Sequence, residues 1–357
     1  MSDDDVAPLV DDVGSFPFPP HVDRRTFAEN YFTFYKYLAR NEDVSSNRGL
    51  QVQFVKPVQY AFRLKLEAGL DVVNYPQLFD MHDMFLRPIR EFPVADGRFE
   101  VRPEWATIPE VKVLDDVFRT WWEQTGRQVR LKSCVTGPVE LYLRLDFGFT
   151  VYPDVLIDLA RSVNHFLRTS VVASPSVETF AVSIDEPSLG YVDLFNVDDD
   201  DLVRALDVAT EGLPCDVQVH LHTLSRADLA LASDNVRVLT CEYASNPSNI
   251  LPKEELDRHD KYMRVGICRT RFDDLLAERL DAGQPYEQVV SSPETLIDSD
   301  ERIAGVLKRA KRLYGDRLRY VGPDCGLSSW GPPSLAKKLL ERVARVARSG
   351  GNPHRSA

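Results

Sequence analysis

The chain has no run of about 18 or more apolar residues, so no segment reads as a membrane-spanning helix. The first residues, MSDDDVAPLVDD, lack the basic start and apolar stretch of a secretory signal, and a cytoplasmic location is expected. Positive charge is in deficit: 43 Lys and Arg stand against 55 Asp and Glu, a formal net charge of −12. Affinity for a phosphate backbone needs clustered cations that release counterions, so nucleic acid is not an expected partner. The acidic clusters Asp3–Asp5 and Asp198–Asp201 read as solvated surface. Cysteine is sparse and scattered. Cys134, Cys215, Cys241, Cys268 and Cys325 are odd in number and contain no C-x-x-C pair, which excludes a disulfide framework and a zinc ribbon. Internal repeats, low-complexity tracts and interdomain linkers are also lacking.

What is there is a 357-residue chain, 43% hydrophobic, with room for one large α/β domain or two ordinary ones. Short β-rich runs ending in a polar or turn motif recur along it. They are LVDDVGSFP (9–17), LDVVNYP (70–76), VRLKSCVTGP (129–138), FAVSIDEP (180–187), DVQVHLHT (216–223), VRVLTCEY (236–243), YMRVGIC (262–268) and LRYVGPDC (318–325). Helical apolar spacing lies between and after them at 26–40, 151–172, 199–210 and 332–348. Strands alternating with helices imply a parallel sheet with right-handed crossovers, and eight units on this length predict a single (β/α)8 TIM barrel over 1–357. Residues 78–128, carrying Pro88, Pro93, Pro103 and Pro109, are too irregular for one crossover and read as an excursion on the barrel.

The chain has only seven histidines, yet two stand one residue apart in QVHLHT. On a strand, His220 and His222 would share a face about 6 to 7 Å apart, which is metal-ligand spacing; two partly buried histidines satisfied by backbone groups would show the same pattern. The active site of such a barrel lies at the C-terminal strand ends. The polar residues there are Ser15, Asn74, Gln77, Thr136, Asp185, Glu186, His220, His222, Glu242, Asp324 and Cys325. Two histidines, a carboxylate from the next strand and a thiolate from the last give N2OS donors suited to tetrahedral zinc. An amidohydrolase-like barrel would instead place its H-x-H near the first strand with further histidines later, whereas His259 and His354 fall in helical and tail contexts.

In order along the chain, VGSFP (13–17), TGPV (136–139), IDEPSLG (184–190), VHLHT (219–223), CEY (241–243) and GPDCGL (322–327) resemble the catalytic C-terminal barrel of the cobalamin-independent methionine synthase family. The resemblance implies zinc held by His220, His222, Glu242 and Cys325, and a pocket for the amino-acid end of homocysteine lined by Val13, Ser15, Gln77 and Asp185. It implies no catalytic side chain beyond the zinc-activated substrate thiol. Three departures stand out. His222 occupies the place of a cysteine in the usual His-x-Cys pair. Gln77 occupies the place of a carboxylate that holds the substrate ammonium. VGICRTRF has Cys268 and Arg269 where the family carries a histidine that assists the folate leaving group. The family's additional N-terminal barrel has no counterpart here, and the chain resembles the short, core-only, archaeal-type forms. These imply methyl delivery by a corrinoid protein or a separately encoded folate-binding partner. The expected function is zinc-dependent methyl transfer to the thiol of homocysteine, forming methionine. The alternatives are an alkyltransferase for another thiol such as coenzyme M, and a noncatalytic metal-binding partner subunit.

Overall fold

The computed structural model describes residues 7–349 except 146, 148, 149, 193 and 195; the cluster Asp3–Asp5 and His354 lie outside the described residues. Eight strands, β1 (Leu9–Val10), β2 (Val73–Asn74), β3 (Val129–Thr136), β4 (Val177–Asp185), β5 (Asp216–His220), β6 (Val238–Cys241), β7 (Tyr262–Cys268) and β8 (Leu318–Pro323), form one parallel sheet in the order β1-β8-β7-β6-β5-β4-β3-β2. Strands consecutive in the chain are therefore neighbours from β2 to β8. The two ends of the sheet also approach each other: the N–H groups of Asp71 and Val72 donate to Val10 C=O at 2.8 and 3.1 Å, and Ser15 forms a parallel bridge with Gln77. The sheet thus curls into the expected (β/α)8 barrel.

Each expected strand is found in its run, except that β4 starts three residues earlier, at Val177. The helices expected at 26–40, 151–172, 199–210 and 332–348 are observed at Arg24–Ala39, Pro153–Ser170, Asp199–Thr210 and Pro333–Ser349. Pro153–Ser170 shows why: Leu156, Leu159, Ala160, Val163, Phe166 and Leu167 recur at helical spacing and are buried. Asp199, Asp200 and Asp201 form the first turn of their helix, where carboxylates complement the positive end of the helix dipole. Lys56–Glu67, Ala227–Ala232, Lys253–His259 and Asp300–Tyr314 provide the helices of the remaining crossovers. The excursion contains the helix Asp83–Glu91 and a bridge between Pro93 and Val101, and the helix Asp115–Thr125 then leads back into β3. It is fastened to Pro153–Ser170 by Val101 N–H to Ser162 Oγ at 2.9 Å and by the Arg98–Asp158 pair at 2.6 Å. None of the described helices is long and apolar enough to cross a membrane.

Period-2 alternation turns every second residue of a strand inward, and in such barrels the inward residues of alternate strands form layers of four. The even-numbered strands and their flanks supply an apolar layer of Val72, Ala181, Val238 and Tyr320. The odd-numbered strands supply a charged one. Asp11, just past β1, accepts from Lys132 of β3 at 2.9 Å, Gln218 of β5 at 3.2 Å and Arg264 of β7 at 2.8 Å, and Lys132 also donates to Gln218 at 2.7 Å. All four are buried. Burial works to raise the Asp11 pKa, but the Arg264 and Lys132 cations outweigh it and hold the carboxyl below its usual range. Lys65 and Asp12 form a second buried pair beside this layer at 2.6 Å.

Candidate metal centre

Two residues beyond Gln218 on the same face of β5 stands His220. Its Nδ1 lies 3.0 Å from the Thr240 hydroxyl of β6, which also accepts the Leu221 N–H at 3.2 Å. With Nδ1 engaged, Nε2 is left to face Cys325 Sγ at 3.6 Å. The strand ends at His220, but the alternation carries on to His222, whose ring meets that of His220 at 5.3 Å and 83°. Asn249 fixes this segment from the loop after β6 by donating to His222 C=O at 2.9 Å and accepting the Leu224 N–H at 2.8 Å. His222 Nε2 lies 3.6 Å from Cys325 Sγ and 3.4 Å from Glu242 Oε1, while Arg271 donates to the other Glu242 oxygen at 2.9 Å.

Cys325 is placed by its neighbour. Asp324 accepts from Ala244 N–H, Ser245 N–H and Ser245 Oγ at 3.0, 2.7 and 2.6 Å, locking the loop after β6 to the end of β8. Position 266 is glycine for this reason: a Cβ there would overlap the Asp324 carboxylate and its Cα. Cys325 N–H itself donates to Thr270 Oγ1 at 3.2 Å.

The four donor atoms of His220, His222, Glu242 and Cys325 all lie within 4.8 Å of one another. Burial takes the His220 pKa well below its ordinary value. It also lowers that of His222 against the opposing pull of Glu242, so both rings keep a lone pair. Burial, with Glu242 adding to it, pushes the Cys325 thiol up to about 12, so without a cation in their midst the thiol stays protonated. A tetrahedral centre with metal–sulfur and metal–nitrogen bonds of about 2.3 and 2.1 Å has S···N edges of about 3.6 Å and N···O edges of about 3.4 Å. Three of the six donor–donor edges, at 3.6, 3.6 and 3.4 Å, have these lengths, so the residues fit a borderline-soft divalent cation.

The residues expected to hold an amino acid stand at neighbouring strand ends. Ser15 and Gln77 are brought together by their bridge, and Gln77 Nε2 points to Met84 Sδ at 3.4 Å. Val13 is buried, with its C=O taken by Asn74 Nδ2 at 2.8 Å. Asp185 ends β4 in register with His220 and accepts the Ser183 hydroxyl at 2.9 Å; burial pushes its pKa up to about 7. Other polar strand ends serve the scaffold. Glu186 accepts the Val139 and Glu140 N–H groups at 2.9 and 2.7 Å, and Thr136 donates to Met81 C=O at 2.6 Å. Arg269, in the place of the family's histidine, turns away to Asp298 and Glu278, each at 2.8 Å, and Cys268 is buried. Sequence reading missed Thr240, Asn249 and Arg271. Thr240 had a signal, since it lies two residues before Glu242 on the same face; Asn249 and Arg271 sit in loops, where spacing carries none.

No family profile matches the chain. It is 25% identical over 343 residues to the methionine synthase of Methanothermobacter thermautotrophicus, covering 93% of this chain and 97% of that protein. The methionine synthase of Saccharolobus solfataricus is 22% identical over 315 residues, 84% of this chain and 85% of that protein. The 5-methyltetrahydropteroyltriglutamate–homocysteine methyltransferase of Mycolicibacterium paratuberculosis is 25% identical over 309 residues, and there the chain spans only 37% of the relative's length. Among solved structures, a B12-independent methionine synthase from a Shewanella species in complex with selenomethionine superposes with TM-score 0.56 at 16% identity, covering 96% of this chain and 97% of that one. A methyltransferase from Methanosarcina mazei gives 0.55 at 11% identity, with 96% and 94% covered. At these identities the two structures speak for the fold alone. The chain is thus similar along most of its length to short archaeal methionine synthases and shares the barrel architecture of a B12-independent methionine synthase.

Proposed function

We propose that the chain is a zinc-dependent homocysteine S-methyltransferase, with His220, His222, Glu242 and Cys325 as the metal ligands. The convergence of these four donors within 4.8 Å of one another, with three of their edges at tetrahedral length, carries the reading. A free thiol, with a pKa near 8.5, is mostly protonated at neutral pH, and a zinc ion bound here supplies the Lewis acidity that makes it a nucleophile. The protein's residues do the rest. Thr240 and Asn249 fix the two histidines, Asp324 fixes Cys325, and Ser15, Gln77 and Asp185 receive the amino-acid end of the acceptor. Two neutral histidines and two anionic ligands balance a divalent cation to formal zero, and Arg271 on Glu242 draws the balance further positive. Such a shell makes the acceptor sulfur less electron-rich and suits an activated methyl donor, a methylcorrinoid in preference to a methylated folate. The donor is delivered by a corrinoid protein or a separately encoded folate-binding partner, and the reaction belongs in the cytoplasm. The neutral amide of Gln77 favours a second reading, alkyl transfer to another thiol such as coenzyme M.

The test is an assay of zinc-loaded protein with homocysteine against methylcobalamin and methylated folates. Methionine formed from methylcobalamin is the expected product, and no methionine from any donor would overturn the proposal. Two variants separate the ligand set from the substrate pocket. His222→Cys should retain the metal while altering the cobalt-substituted spectrum and the pH dependence of transfer. Asp185→Asn should retain the metal and raise the KM for homocysteine.

A further inference from the structure

A cleft of about 420 Å3 opens beside the candidate metal centre, and nothing in the reading above uses its far end. Its inner end is formed by Ser15 and Gln77, and Ser328 also lines it. Ser15 packs against Gly326, the residue after Cys325: a Cβ on Gly326 would overlap the Ser15 hydroxyl, and Ser15 C=O accepts the Leu327 N–H at 2.9 Å. Ser15 thus ties the inner end of the cleft to the loop that carries Cys325.

The walls are apolar, with Phe16, Phe18 and Phe79 prominent. Only two charged residues line the cleft, Arg24 and Asp80. Asp80 is already occupied, accepting the His82 and Asp83 N–H groups at 2.9 Å each and lying 3.7 Å from the His82 ring. Those same hydrogen bonds, the His82 ring foremost, take its pKa far below the usual carboxylate range. Arg24 has no carboxylate partner among the described residues. Its guanidinium lies over the face of Phe18 at 5.3 Å, and its neighbour Arg25 takes the nearby Glu29 at 3.1 Å. The cleft thus combines an apolar body, two hydroxyls, a neutral amide, the Asp80 carboxylate bonded to the His82 segment, and the Arg24 cation, which has no carboxylate partner among the described residues. That is the complement of a ligand with an apolar stem and an anionic end.

We propose that the cleft receives the far end of the acceptor thiol and that Arg24 is its counter-charge, so the acceptor is selected as an anionic thiol more than as an amine. The inference rests on the thiol-binding role of the centre proposed above. It makes the carboxylate of homocysteine the dominant recognition element, and it extends the acceptor class to thiols that carry a carboxylate or sulfonate and no ammonium group. Gln77 belongs to the same logic. A carboxylate there would repel the anion, whereas the amide accepts or donates a hydrogen bond without charge.

The experiment measures thiol binding to the cobalt-substituted full chain by the thiolate-to-cobalt absorption band. The probes are mercaptoethanol, mercaptobutanoate (homocysteine without its ammonium), mercaptopropylamine (homocysteine without its carboxylate) and mercaptoethanesulfonate. Mercaptobutanoate should bind at least tenfold more tightly than mercaptopropylamine, and added salt should erode the difference. Arg24→Met should weaken mercaptobutanoate and mercaptoethanesulfonate about five- to tenfold and leave mercaptoethanol unchanged, while Gln77→Glu should reverse the order of the acid and the amine. Saturation-transfer NMR on metal-free protein gives a second readout: methylthiobutanoate should show contact with the cleft, and Arg24→Met should abolish it. Equal binding of acid and amine, or an Arg24→Met variant that treats the anionic thiols as wild type does, overturns the inference and leaves the metal-centre reading standing. If mercaptoethanol itself produces no band, the thiol-binding reading fails and the inference falls with it.

Discussion

The charged layer of Asp11, Lys132, Gln218 and Arg264 and the donor set of His220, His222, Glu242 and Cys325 are both held inside or at the mouth of one barrel, only two residues apart along β5. They are satisfied in opposite ways. In the lower layer Asp11 meets cations of the chain itself, Lys132 at 2.9 Å and Arg264 at 2.8 Å. In the upper set two neutral rings, a carboxylate and a buried thiol face one another, and the chain places its nearest cation, Arg271, on the outer oxygen of Glu242 instead of among the donors. A buried polar group costs free energy unless something pairs with it. The lower layer thus neutralises its charges within the chain, although both terminal nitrogens of Arg264 lack a hydrogen-bond partner, whereas the upper set gathers four donors with no cation of the chain among them.

Removing ligands should therefore have its largest effect on metal content and little on the fold. Glu242→Ala and Cys325→Ala should each lose most of the bound zinc by elemental analysis, while the unfolding midpoint of the metal-free protein stays unchanged or rises. Asp11→Ala should do the reverse. It strands Lys132 and Arg264 in the interior and should cost about 3–5 kcal/mol in denaturant unfolding. The Asp11 pKa is depressed in the folded chain, so its contribution is present above the unfolded value near pH 4 and is lost as pH falls through the folded one. The gap between wild type and Asp11→Ala should accordingly narrow in acid. Thr240→Val tests the seam between the two regions: it takes away the partner of His220 Nδ1 and should weaken zinc about 10- to 100-fold in a chelator competition. Arg271→Met should have the smallest effect, because the arginine side chain is half exposed and its pair with Glu242 is screened by water. A shift in zinc affinity of less than about threefold is expected, and a large loss would move Arg271 from the rim into the centre.

The comparison also explains what could be read from sequence. Strand ends were legible because each β-rich run stops at a polar or turn residue, and His220, His222, Glu242 and Cys325 stand at such ends. The helix Lys56–Glu67 was passed over, and it follows a wider-wound turn, Gln51–Val55, with a proline at its start. The charged layer was illegible for a different reason. Alternation assigns Lys132 and Arg264 to the inward face but does not say that their counter-charge is Asp11, 121 and 253 residues away in the chain. Asn249 and Arg271 act from loops, where no periodicity exists to place them. Arg24 sits in the first turn of a surface helix, where an arginine ordinarily signals only solubility.

The site joins Ser15, at the first strand, to Cys325, past the last, and the sheet curls on itself only where the β1 end meets β2 and β8. Pairing across such a separation closes a long loop and comes late in folding. A ribosome that has delivered β1 to β7 has made both histidines and Glu242 but neither Cys325 nor the glycine that packs on Ser15. On the proposed ligand set, metal capture with full affinity has to wait for the last βα unit to emerge. In cell-free synthesis, zinc acquisition should track release of the finished chain and not the appearance of the His-x-His strand.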